Sequence, residues 1–191
     1  MRIINGEMPS QRGVDIVYTF IGIICGAAVG IKFADIDLQA PEWLLHHRAL
    51  FTHGIIVPLV LLWWSRRTHH HALRGLTLGF CVTNAVHLSF DLFPRAWWGH
   101  ALIHIFMWAL PPIVSWLWIA LSITLCLYLA RSIIQTIGDM LVAGIGIIAG
   151  FTVYAYEGLI FPLFAFVVAG IIAFVLPYPF HIRRKKYMSN V

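Results

Sequence analysis

Polar residues are sparse along this chain, and they punctuate long apolar runs. Six runs stand out, over residues 15–33, 50–64, 75–92, 100–130, 134–156 and 159–177. A helix crossing a hydrocarbon core ~30 Å thick needs about 20 apolar residues, so these runs read as membrane spans. The second is short for that thickness. The fourth is long and contains Pro111-Pro112, which removes helix hydrogen bonds and is expected to kink or interrupt the segment. The pattern predicts an all-α integral membrane protein with about six transmembrane helices, five or seven depending on how that break divides the chain. The first run has a long polar lead, "CGAAVG" makes a poor cleavage site, and further spans follow, so it reads as a span and not as a signal peptide.

Composition agrees with the pattern. The 191 residues are 60% hydrophobic and only 11% charged, and the mean hydropathy is +0.84. The sequence reads as one transmembrane domain, 1–191: a motif-bearing part over 15–105, a helical scaffold over 106–180 and a basic tail over 181–191. Cys25, Cys81 and Cys126 fall inside runs with no CxxC pair, which predicts small buried residues in place of disulfides or thiolate ligands. Gly138, Gly144, Gly146 and Gly150 allow close helix packing in the fifth span.

Basic residues give an orientation. With six spans, Arg2, Arg12, Arg66, Arg67, Arg74, Arg131, Arg183, Arg184, Lys185 and Lys186 share one side, ten of the thirteen basic residues. Short loops rich in Lys and Arg stay cytoplasmic, so both termini are predicted there. The net charge of +5 is then a matter of topology and anionic lipid, and nucleic acid is not needed to explain it.

On that map the acids and imidazoles gather at the opposite, extracytoplasmic face. "ADID" carries Asp35 and Asp37, which share a side if the segment is extended. "HHRALFTHG" carries His46, His47, Arg48, Thr52 and His53, with His46 and His53 on one face if the helix is continuous. "HLSFD" places His87 and Asp91 four apart in an otherwise apolar span, with Asn84 positioned to orient the imidazole. Ionisable groups inside spans are costly and usually mark a site. "HALIH" repeats the spacing with His100 and His104, either holding an ion or forming an interfacial pair beside Trp97 and Trp98. His69 to His71 read as a solvated loop, and Asp139 is left to meet Arg131 or a partner chain.

The order of these motifs resembles a bacterial and archaeal family, the YdjM-like, LexA-regulated membrane-bound metal-dependent hydrolases. Its members typically read PDxDH, HRGxTHS and HxxxDxxT. The resemblance covers roughly residues 15–100. It implies a multi-pass enzyme of a bacterial or archaeal cell (inner) membrane, holding one or two divalent ions through Asp35, Asp37, His47, His53, His87 and Asp91. Nitrogen and oxygen donors of this kind suit Zn, Mn or Fe. Such an ion acidifies a water. Arg48 would neutralise an anionic substrate, Thr52 would donate a hydrogen bond, and His104 or His100 would protonate the leaving group. A site at the membrane surface points to a lipid or lipid-linked ester or phosphoester.

The chain departs from the family pattern at Ala34 and Leu38, at Gly54 in place of serine, in one extra residue between the histidines and in the residues after Asp91. It also lacks a histidine near the start of the first span. These departures favour a second reading, a diverged, non-catalytic subunit of a larger membrane complex. A b-type haem protein would use the histidines but not Asp35, Asp37 or Asp91. A transporter would need polar residues across the whole membrane, and here they collect at one face.

Overall fold

The computed structural model describes residues 9–39, 41, 48–93 and 102–177. Six α-helices run through them: α1 Pro9–Phe33, α2 Ile56–Thr68, α3 His71–Asp91, α4 Pro112–Ile133, α5 Ile137–Val153 and α6 Ile160–Val175. A 3-10 turn over Ala34–Leu38 follows α1. A two-stranded antiparallel hairpin, β1 His104–Ile105 and β2 Trp108–Ala109, precedes α4.

The fold is built around α3, which is buried at Gly75 and continuously from Thr77 to Asp91. Its tightest neighbour is α1, and glycine is the reason. A Cβ on Gly26 would sit 2.0 Å from Leu76 O, and one on Gly79 would sit 2.0 Å from Ile23 O. The obstructing atoms are backbone, which cannot yield, so only glycine permits this approach. Gly22 meets Ala72 and Gly30 meets Phe80, so contacts advance along both helices together and α1 runs parallel to α3. Helix α5 joins them in the same direction, Gly146 against Ala27 and Gly150 against Val86. Of the glycines singled out above, Gly146 and Gly150 pack in this way, Gly138 meets the Phe20 ring, and Gly144 faces open space.

The C-terminal ends of α1, α3 and α5 therefore converge at one end of the bundle. Helix ends of that polarity carry partial negative charge and favour a cation. At the other end Arg74 donates to Asp139 Oδ2 (2.9 Å), Ile133 O (3.1 Å) and Thr19 Oγ1 (3.1 Å), linking α3 to α1 and to the α4–α5 connection. Asp139 also closes a capping box with Thr136 at the start of α5. Its partner is thus Arg74, while Arg131 donates to the last carbonyls of α6 at Ala173 and Leu176.

Of the two expectations for the fourth apolar run, interruption is what is found. Pro111-Pro112 does not kink a long helix but divides the run and starts α4, with Pro112 its first helical residue, where the missing N–H costs nothing. Proline also pushes the residue before it towards extended backbone, and the chain ahead forms the hairpin. His104 accordingly lies in β1 and not in a helix. Cys81 and Cys126 are buried as expected, but Cys25 is exposed on the outer side of α1.

Two helical stretches, Gly13–Leu38 and Pro112–Ile133, are long and apolar enough to cross a membrane; α5 and α6 are apolar but shorter.

Candidate metal centre

The Ala34–Leu38 turn separates the two acids that the sequence pairs. With about three residues per turn, side chains two apart diverge, so Asp35 and Asp37 go to different histidines. Asp37 is buried, and its Oδ2 accepts from Thr52 Oγ1 (2.8 Å) and Ala49 N (3.2 Å). It also lies 3.3 Å from His53 Nδ1. Asp35 instead points to the cavity side, with Oδ2 accepting from Tyr154 Oη (3.1 Å) and Oδ1 3.7 Å from His87 Nε2.

Residues 48–55 enter the bundle as turns and not as the start of α2, which begins at Ile56. Arg48 takes a left-handed conformation, φ 61°. Its carbonyl accepts from His104 N, and Leu50 N donates to His104 O, both at 2.9 Å. Trp118 Nε1 donates to His53 O at 3.0 Å. A Cβ on Gly54 would meet the Trp118 ring at 2.8 Å, so a larger residue there would have to displace that ring.

Three side chains then meet. Asp91 Oδ2 lies 3.2 Å from His87 Nε2 and 3.4 Å from His53 Nε2, all three residues buried. Which nitrogen of each ring carries the proton follows from the partners on its far side. Tyr154 has one proton, and its Oη faces two acceptors without hydrogens of their own, Ile31 O at 2.6 Å and Asp35 Oδ2 at 3.1 Å, which share that proton. The hydroxyl must therefore accept from His87 Nδ1, 2.7 Å away. In the neutral ring, His87 Nε2 is left with its lone pair. At His53, Nδ1 faces Thr52 Oγ1 at 3.0 Å and the Asp37 carboxylate, so there too Nδ1 is the donor and Nε2 the lone-pair atom.

Two imidazole lone pairs and a carboxylate oxygen thus point at one another. A proton could satisfy one of these contacts, whereas a divalent ion satisfies all three. Ligand atoms ~2.0–2.2 Å from a tetrahedral ion lie roughly 3.3–3.6 Å apart, close to the separations found. The donor set fits a metal, and His53, His87 and Asp91 form the group that could hold one. Hydrogen bonds donated by the far nitrogens, such as those to Tyr154 and Asp37, commonly orient metal-ligating histidines.

Beside this cluster opens a cavity of about 530 Å³, with Lys32, Asp35, Arg48, His87, Asp91 and Tyr154 among its lining. Arg48 Nε donates to Asp91 Oδ1 at 3.4 Å.

Of the expected metal ligands, His53, His87 and Asp91 come together and Asp35 stands at the edge. Asp37 sits behind His53. His47 lies outside the described residues, as do His46, His100 and the basic tail. Among the expected catalytic residues Arg48 reaches the cavity. Thr52 does not: it is buried with its hydroxyl on Asp37, Ala49 O and His53. His104 is not among the described residues lining the cavity. Asn84 does not orient His87; its amide faces Cys126 Sγ at 3.7 Å. That task falls to Tyr154, from a span expected to be scaffold, and the only local hint was a tyrosine at the end of an apolar run.

No family model, curated protein or solved structure matches the chain.

Proposed function

We propose that this chain is a multi-pass membrane protein acting as a divalent-metal-dependent hydrolase, in keeping with its resemblance to the YdjM-like family. The observation that carries the reading is the meeting of His53 Nε2, His87 Nε2 and Asp91 Oδ2, with both far nitrogens held by other groups. Two histidines and one carboxylate with room beside them match metal sites that keep a position open for substrate. A bound ion supplies an acidified water and a polarised substrate oxygen.

The residues of the chain do the rest. Tyr154 and Asp37 hold the two imidazoles in register. Arg48 neutralises charge on a substrate in the cavity. Asp35, on the cavity wall, is placed to take the proton of an attacking water. Zn, Mn or Fe suits these donors.

The membrane reading rests on the outer surface. Within an apolar 18-residue window of each of the two long stretches, only 33% and 39% of the residues are buried. Ile24, Trp63, Ile145 and Phe164, on four different helices, are each more than 60% exposed. Such a surface needs lipid or partner subunits to cover it. We place six helices across the cell membrane with the metal centre at the extracytoplasmic face and the substrate a lipid or lipid-linked ester.

The test is metal content by mass spectrometry on detergent-purified protein, beside His87→Ala and Asp91→Ala. About one equivalent of a transition metal, lost in both variants, is the expected result. No metal in gently purified wild type would overturn the hydrolase reading and leave that of a diverged membrane subunit.

A further inference from the structure

The charges around the cavity select among esters. Its described lining carries Lys32 and Arg48 against Asp35, Asp91 and Glu157. Counting formal charges, two cations against three carboxylates leave −1 without an ion and +1 with a divalent one. An occupied cavity therefore favours an anion. A carboxylic ester or a peptide bond is neutral and gives two cations nothing to neutralise. A phosphodiester carries one negative charge and a phosphomonoester between one and two, matching the excess.

The two cations come from different walls. Lys32 ends α1 and lies 5.7 Å from the centre of the Tyr154 ring. Arg48 comes from the turn before α2 and reaches the cluster through Asp91. Its Nε is used there, and the guanidinium still has donors to offer, in the fork that suits phosphate oxygens. Arg48 also holds an unfavoured backbone conformation, φ 61°, of the kind found where a side chain must be aimed. A cavity of about 530 Å³ is of the size that takes a small ligand or a lipid headgroup.

We infer that the substrate of this site is a phosphate ester, its phosphoryl group held between the metal position and the Lys32–Arg48 pair. This rests on the metal-dependent reading above and narrows it to one substrate class.

Metal content and ligand binding, measured on the same preparations, separate the two ideas. The full chain in detergent, wild type, Lys32→Gln and Arg48→Gln, is titrated with dihexanoyl phosphatidic acid, inorganic phosphate and uncharged dihexanoylglycerol. The phosphorylated lipid should bind and the uncharged one should not. Each substitution should weaken phosphate binding about tenfold while the metal stays, since one charge-assisted contact is lost. Binding of inorganic phosphate as tightly as the lipid supports the inference with a soluble phosphoester as source; preference for the lipid supports it with a headgroup as source. Metal-bearing protein that binds the uncharged lipid equally well, or phosphate binding indifferent to both substitutions, overturns the inference alone. Absence of metal throughout overturns the hydrolase reading and this inference with it.

Discussion

The Tyr154 hydroxyl lies 2.7 Å from His87 Nδ1, across 67 residues of chain. The same oxygen donates towards Ile31 O and Asp35 Oδ2, so one phenol ties the ends of α1, α3 and α5 to one imidazole. Tyr154→Phe keeps the ring packed on His87 and Phe90 but frees the imidazole to change tautomer. Metal affinity should fall about 10–100-fold with little change in thermal stability. A chelator competition titration reads the affinity, and nitrogen NMR of labelled histidine reads the tautomer. An unchanged tautomer and affinity would remove Tyr154 from the site.

Asp37 performs the matching task for His53 while also receiving Thr52 and Ala49 N. Asp37→Asn nearly preserves shape but weakens an acceptor and brings a competing donor against Nδ1. Metal affinity should drop about tenfold or more. Asp37→Ala should in addition lower stability by about 1–3 kcal/mol, because buried donors lose their acceptor. If Asp37→Asn binds metal as wild type does, the orienting role is wrong.

The α1–α3 contact sets where Asp35 and Asp37 stand relative to His87. Gly79→Ala places a methyl 2.0 Å from Ile23 O, so the helices must separate, at a cost of about 1–3 kcal/mol or more. Thermal unfolding should show that loss, and metal affinity should fall with it. Gly144→Ala, in open space, should be neutral or stabilise by about 0.4–1 kcal/mol. Equal effects at the two positions would refute the close-approach argument.

Asp139 tests the opposite end. It is 1% exposed and neutralises Arg74 while capping α5. Asp139→Ala leaves the arginine without its carboxylate and should destabilise by about 3–5 kcal/mol. Surviving folded protein should still bind metal at wild-type stoichiometry, because the pair is remote from the cluster. Metal loss in folded protein would mean that the two ends are coupled.

Much of this was legible in the residues themselves. An all-helical chain follows from apolar runs too long for strands. The His87–Asp91 pair follows from a spacing of four, which puts both on one helix face whatever packs against it. Local periodicity is enough for such statements. It failed where the backbone leaves the helical period. Asp35 and Asp37 part because their segment is a 3-10 turn, and Arg48 to Ile55 are turns, so His53 does not stand on a helix.

Which helix faces meet is a matter of long-range packing. Every glycine in an apolar run looks equally able to allow close packing, yet Gly22, Gly26, Gly75 and Gly79 have the facing helix's backbone opposite them, while Gly144 has nothing. Tyr154 became part of the site, and Thr52 was turned away from the cavity, by contacts between segments far apart in sequence. Such contacts depend on helix rotation and offset, which are set by packing of whole faces. The order of residues sets the donors and the helices; packing sets which donors share a point in space.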